Sequence, residues 1–186
     1  MFLNIDQKNP ADIAAIDDHE DSLTYGELVR FCDHFGEVLS KRTLIFILSE
    51  NCIGAFAGYI GALSNKIVPL IIHSHTESGL FQNLLSAYRP EYLGHEYESE
   101  VVFGFKHYIL VKTGMTPPPL YKELSLLLPT SGSTGSSKLV RHSYKNVEAN
   151  ARNVSLLFGL DKHERALATL PIYYTMGLSV ISSHIY

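Results

Sequence analysis

The residues 43–72, TLIFILSENCIGAFAGYIGALSNKIVPLII, indicate the class of fold. Two largely apolar runs, TLIFILS at 43–49 and KIVPLII at 66–72, flank a segment rich in glycine and alanine, 53–64. Consecutive rather than alternating apolar positions are typical of a strand that is covered on both faces. A helix between two such strands forms a βαβ unit, which implies parallel strands joined by a right-handed crossover.

The segments on either side of this unit extend the same pattern. Upstream, LTYGELVRFCDHFGEVLS places Thr24 three residues before Glu27, the spacing of a capping box, and predicts a helix from that point. Downstream, ESGLFQNLLSAY predicts another helix, and Asn51 is the expected N-cap of the helix within the unit. We therefore predict an α/β fold with a mostly parallel sheet flanked by helices.

Beyond Arg89 the pattern is weaker. EYLGHE and VVFGFKHYILVK predict short strands, and the three prolines of TGMTPPPLYKE predict a connection near 112–123. The remaining predicted elements are, in order, a strand at SLLLP, a helix from about Ser143 that ends at Gly159, a strand at RALATLP and a helix in MGLSVISSHIY. This last helix stops without a capping residue, so we expect the chain to be part of a longer one.

Composition excludes several classes of protein. The 186 residues are 46% hydrophobic with a formal net charge of -4, as expected for one globular domain. No basic stripe and no apolar run near 18 residues is present, which argues against nucleic-acid binding and a membrane span. Cys32 and Cys52 lie in apolar helical patterns and predict reduced core thiols, hence a cytoplasmic protein.

The run LLLPTSGSTGSSKLVRHS, residues 126–143, is the candidate functional segment. A strand, a glycine-rich turn, a lysine and then a helix can surround a phosphate with donors and one cation. The glycines permit positive φ, and Lys138 supplies the charge, although at a helix start the dipole would disfavour a cation. The spacing does not fit the nucleotide triphosphatase signature, and a flexible linker is disfavoured between a strand and an amphipathic helix.

These residues carry a family resemblance. LLLPTSGSTGSSKLVRHSYKN resembles the T-S-G-[ST]-T-G-x-P-K-G-V signature of the adenylate-forming (AMP-binding) superfamily, which includes acyl-CoA synthetases, nonribosomal-peptide adenylation domains and luciferases. Four weaker matches follow the family's order along the chain: LTYGELVR, GYIGALSNKIVPLII, HSYKNVEANARNV and RALATLPIYYTMGL.

The resemblance implies a function. In that family a carboxylic acid reacts with ATP and Mg²⁺ to give an acyl adenylate and pyrophosphate, and the acyl group then passes to CoA or to the phosphopantetheine of a carrier protein. It also implies that Tyr174 and Gly177 lie at the acyl pocket. The residues implied to surround the ATP phosphates are Thr130, Ser131, Gly132, Ser133, Thr134, Gly135 and Lys138.

The resemblance further implies that residues 1–186 form one N-terminal subdomain of the large domain. The C-terminal lid domain, the catalytic lysine and the magnesium ligands would then lie beyond Tyr186, so that this segment alone would hold no catalytic residue and no metal. Three positions depart from the family's pattern: Ser137 replaces proline, Leu139 replaces glycine, and Tyr174 replaces a common histidine.

Alternatives remain open. Ser137 and Leu139 allow a degenerate, non-catalytic binding or scaffold module that has lost its ATP chemistry. His73 and His75, two residues apart after a predicted strand, could share a metal, but no third ligand follows in register, which favours a loop at a strand end. The acidic run DDHED, residues 17–21, predicts a solvated hairpin turn.

Overall fold

The computed structural model describes residues 1–18, 20–95, 101–106, 108–130 and 138–186. It opens with a 3₁₀ helix, Phe2–Gln7. The strands are β1 Ile13–Ile16, β2 Ser22–Thr24, β3 Leu44–Ser49, β4 Val68–His73, β5 Tyr92–His95, β6 Val101–Phe105, β7 Tyr108–Lys112, β8 Leu124–Pro129 and β9 Leu139–Ser143. The α-helices are α1 Tyr25–Leu39, α2 Ile53–Ser64, α3 Ser78–Tyr88, α4 Tyr144–Phe158 and α5 Thr175–Ile185.

The main sheet has seven strands in the order β6-β7-β5-β3-β4-β8-β9. The four central strands are parallel: β3 pairs with β4 and β5, and β4 pairs with β8 in a register that places Leu70 beside Leu127. Both edges are antiparallel, because β7 returns along β5 and β9 returns along β8. The predicted α/β fold with a largely parallel, helix-flanked sheet is confirmed.

Apolar side chains cover both faces of the sheet. On β3, Ile45 and Ile47 join the core cluster that includes residues of α1, α2 and α5, while Leu44 and Phe46 join a second cluster with α3. This alternation explains why the strand is apolar at consecutive positions. A small β1–β2 hairpin lies outside the main sheet and carries the predicted turn at residues 17–21, of which His19 is outside the described residues.

One predicted strand is wrong, and one observed strand is absent from the prediction. RALATLP is not a strand: residues 165–171 form no sheet pairing, and their backbone instead bonds to a side chain of another segment. The segment from Leu139 to Ser143, which we expected to lie between turn and helix, is strand β9. Its sequence gave no signal because its side chains are half-buried or exposed, and its pairing with β8 is non-local.

The N-cap of α2 is also different from the prediction. Cys52, not Asn51, occupies the cap position, and the Ala55 amide donates to Cys52 Sγ at 3.5 Å. Residues 113–123 connect β7 to β8 without helix or strand. Within the part of the chain that the structure describes, no helix has the length and apolar character needed to cross a bilayer.

Candidate functional site

The candidate site lies at the C-terminal ends of the parallel strands. β3 ends at Ser49, β4 at His73 and β8 at Pro129. Because these strands are parallel neighbours, their C-terminal ends lie at the same end of the sheet. In open α/β sheets, ligands bind outside the carboxyl ends of the strands. Thr130, the first residue of the Ser/Gly run (residues 130–135), therefore follows β8 at the end of the sheet where a ligand is expected.

Thr130 and Lys138 are the described flanks of this run. Thr130 N donates to the Lys138 carbonyl at 3.3 Å, and Thr130 Oγ1 donates to the same oxygen at 3.4 Å. The two residues therefore lie opposite each other across the β8–β9 pair. The other predicted phosphate-binding residues, Ser131, Gly132, Ser133, Thr134 and Gly135, lie outside the described residues.

The surroundings of Lys138 differ from the prediction. We expected this lysine at a helix N-terminus, but it immediately precedes β9, and α4 begins only at Tyr144. Ser143 caps α4, accepting from the Asn146 amide at 3.3 Å. Because the macrodipole acts only within the first turn, α4 does not disfavour the Lys138 charge.

The residues that follow Lys138 clarify one departure from the family's pattern. Leu139 is extended and pairs with Pro129, and its φ is not positive. Leucine in place of glycine therefore carries no left-handed strain here. Burial lowers the pKa of His142, so this side chain adds no positive charge near pH 7. Ser137 lies outside the described residues.

Tyr174 and Gly177 lie at the start of α5. Tyr174 is 49% exposed, and its ring centroid is 4.6 Å from that of Tyr173. A Cβ on Gly177 would lie only 2.2 Å from the Pro171 carbonyl oxygen. Glycine is therefore needed for the close approach of α5 to the preceding segment, a packing requirement that is independent of any substrate.

Asn51 holds the segment that leads to these residues. Its Nδ2 donates to the carbonyl oxygens of Ala168 at 2.6 Å and Leu170 at 3.0 Å. Its Oδ1 accepts from the Ile172 amide at 2.9 Å. All partners lie more than 100 residues away in sequence, so no local signal could have revealed this role.

His73 and His75 also lie at the C-terminal ends of the parallel strands. The His75 amide donates to His73 Nδ1 at 3.1 Å, and the His73 ring packs edge-on against Tyr173 with centroids 5.0 Å apart. His75 Nδ1 lies 3.4 Å from Glu50 Oε1, which also accepts from the Ser74 hydroxyl. Among the described residues, no group of three His, Cys, Asp or Glu side chains is arranged to hold a metal.

Comparison with known proteins identifies the fold. O-succinylbenzoate coenzyme A synthetase from Bacillus subtilis, solved with AMP, superimposes with a TM-score of 0.76 at 19% identity and covers 100% of this chain and 53% of its own. The N-terminal subdomain of NpsA from Klebsiella oxytoca gives 0.74 at 20% identity, covering 99% and 49%. The chain thus spans about half the length of these solved structures.

Curated relatives match over shorter stretches. Sulfoacetate–CoA ligase from Cupriavidus necator is 45% identical over 64 residues, which are 34% of this chain and 13% of that protein. A 2-succinylbenzoate–CoA ligase from Staphylococcus aureus (strain JH9) is 36% identical over 59 residues, 32% and 12% of the respective chains. The profile of the AMP-binding enzyme family matches residues 3–185, so this chain belongs to that family, the adenylate-forming superfamily that its motifs resemble.

Proposed function

We propose that this chain is the N-terminal part of an ATP-dependent ligase that activates a carboxylic acid as its acyl adenylate and passes the acyl group to a thiol, either of CoA or of a carrier protein. The family match along residues 3–185 is the observation that carries the proposal. The two curated relatives are named as CoA ligases, which supports CoA as the acceptor.

The phosphate-binding residues proposed are the Ser/Gly run from Thr130 to Gly135 and Lys138. Support comes from the described flanks alone: Thr130 follows the carboxyl end of β8, and Lys138 lies opposite it across the β8–β9 pair. Negative charge develops on pyrophosphate as it leaves, and a fixed cation with preorganised donors would stabilise it. Tyr174 and Gly177 remain candidates for the acyl pocket.

ATP is the proposed nucleotide, and the Bacillus subtilis synthetase has been solved with ATP and a magnesium ion. The described residues of this chain offer no cluster of metal-binding side chains. We propose that Mg²⁺ accompanies ATP and that its protein ligands lie outside these described residues.

The second candidate is a non-catalytic binding or scaffold module. It would explain Ser137 and Leu139 as remnants of a lost ATP site. The extended backbone of Leu139 weakens this reading, because the substitution imposes no strain on β9. A hydroxylamine-trapping screen of the complete protein against a panel of carboxylic acids separates the two: hydroxamate with any acid supports the ligase, and none with all acids supports the module.

A charge-matched pair of variants tests the role of Lys138. We expect Lys138→Ala in the complete protein to slow acid-dependent pyrophosphate release by roughly tenfold or more, because the leaving group loses its cation. Lys145→Ala removes the same charge from the first turn of α4 and should change the rate less than about twofold. Equal rates for wild type and Lys138→Ala would remove Lys138 from the mechanism.

Two further expectations accompany the proposal. The 186-residue chain alone should bind ATP weakly and not catalyse, since the solved relatives are about twice as long. A cytoplasmic location is the second expectation, because Cys32 and Cys52 are thiols rather than disulfide partners. Burial raises the pKa of the Cys32 thiol to about 12, so this side chain stays protonated and unreactive.

A further inference from the structure

His73 ends β4, and the strand register brings it beside Thr130, the residue that follows β8. Leu70 of β4 lies opposite Leu127 of β8. Three residues further along both parallel strands, the same register places His73 beside Thr130, and neighbouring strands are about 4.8 Å apart. Thr130 in turn lies opposite Lys138 of the next strand.

The three side chains share one face of the sheet. Ile71 of β4 and Leu128 of β8 belong to the same core cluster, on the face covered by α5. Because side chains alternate along a strand, His73 and Thr130, two residues further on, project on that face. Lys138 projects there too, since residues opposite each other on an antiparallel pair point to the same side.

The hydrogen bonding of His73 fixes its tautomer. Its Nδ1 accepts from the His75 amide, so the proton of the neutral ring is on Nε2. Within the described residues no hydrogen bond forms at Nε2, and the ring is half-buried against Tyr173. His73 therefore offers an N–H donor on the same face of the sheet as Thr130 and Lys138, with its ring held by packing against Tyr173.

We propose that His73 is a further contact residue of the nucleotide site, with its Nε2–H donating to a phosphate oxygen of the ATP polyphosphate or of the pyrophosphate product. None of the motifs of the resemblance includes this residue. The inference rests on the proposed function, because it assumes that Thr130 and Lys138 belong to the phosphate site. The neighbouring His75 serves a different purpose, since its ring faces Glu50.

Calorimetric titration of the complete protein with magnesium pyrophosphate tests this contact. We expect His73→Leu to weaken binding about tenfold, the loss of one hydrogen bond to a charged group. His73→Gln retains an N–H donor and should lose less than about threefold. The control is His75→Gln, which should bind within about twofold of wild type. A merely structural role for His73 would not be rescued by glutamine in this way.

The outcomes separate this inference from the proposed function. If Lys138→Ala weakens pyrophosphate binding while His73→Leu binds as wild type does, the His73 contact is overturned and the phosphate site stands. If wild type itself binds no pyrophosphate and no ATP, the His73 contact and the proposed function are both overturned. Should His73→Leu fail to fold, the ¹⁵N shift of His73 Nε2 in wild type decides: a change on adding pyrophosphate supports the contact, and no change overturns it.

Discussion

At the scale of single residues, Glu91 links the chain before β3 to the start of β5. Glu91 is 7% exposed, and its Oε2 accepts from the Thr43 hydroxyl at 2.7 Å. Its Oε1 lies 3.1 Å from Lys41 Nζ. Burial by itself would raise the pKa of Glu91, but the hydrogen bond from Thr43 and the attraction of Lys41 outweigh it, so the pKa lies below its ordinary value of 4.5.

This lowered pKa gives a pH dependence of stability with a definite sign. The folded state favours the ionised form, so the stabilisation is present above pH 4.5 and is lost as the pH falls through the folded-state pKa. Urea denaturation measures the unfolding free energy at each pH. Between about pH 6 and about pH 3, we expect it to fall less for Glu91→Gln than for wild type. The exposed Glu123→Gln is the control and should follow wild type; identical pH profiles for all three proteins would contradict the assignment.

At the scale of elements, the capping box fixes the start of α1. Thr24 N donates to Glu27 Oε2 at 2.8 Å, and the Glu27 amide donates to Thr24 Oγ1 at 3.2 Å. Thr24→Ala should lower the unfolding free energy by about 1 kcal/mol, and Thr24→Ser should retain most of it because the hydroxyl remains. A double-mutant cycle with Glu27→Ala measures the coupling, and additive losses would show that the two bonds act independently.

The secondary-structure elements that could be predicted from the sequence are those with local signals. The start of α1 depends on residues within four positions, and β3 and α2 carry continuous apolar patterns, so all three were predictable. β9 was not, because its pairing with β8 spans the Ser/Gly run and its own side chains are mostly polar. The apolar content of residues 165–171 predicts a strand, whereas two of their carbonyl oxygens accept hydrogen bonds from Asn51.

Some residues of the candidate site could be predicted from the sequence, and others depend on strand pairing. The Ser/Gly run and Lys138 could be found from the motif, which is a local feature. That Lys138 lies opposite Thr130 on an antiparallel strand follows only from the pairing of β8 with β9. The place of His73 beside them follows from the β4–β8 register, which joins residues more than 50 positions apart. A single sequence contains no signal for that register.

At the scale of the whole molecule, the C-terminal end of α4 leaves an apolar surface uncovered. Leu156, Leu157 and Phe158 are consecutive and are 66%, 78% and 71% exposed. Only Ala151 of α4 is buried, so this helix contributes little of its surface to the core of the 186-residue chain. Scattered apolar residues are normal on a protein surface, but contiguous ones mark surfaces that associate.

We therefore expect the 186-residue chain in isolation to self-associate through this end of α4, since contact between copies removes apolar surface from water at about 25 cal/mol per Å². Sedimentation velocity over a range of concentrations should show oligomers for wild type and a monomer for the double variant Leu157→Glu, Phe158→Lys. Tyr121→Glu alters a single exposed aromatic residue elsewhere, 74% exposed, and should associate as wild type does. A wild-type chain that stays monomeric at every concentration would show that the exposed end of α4 drives no association.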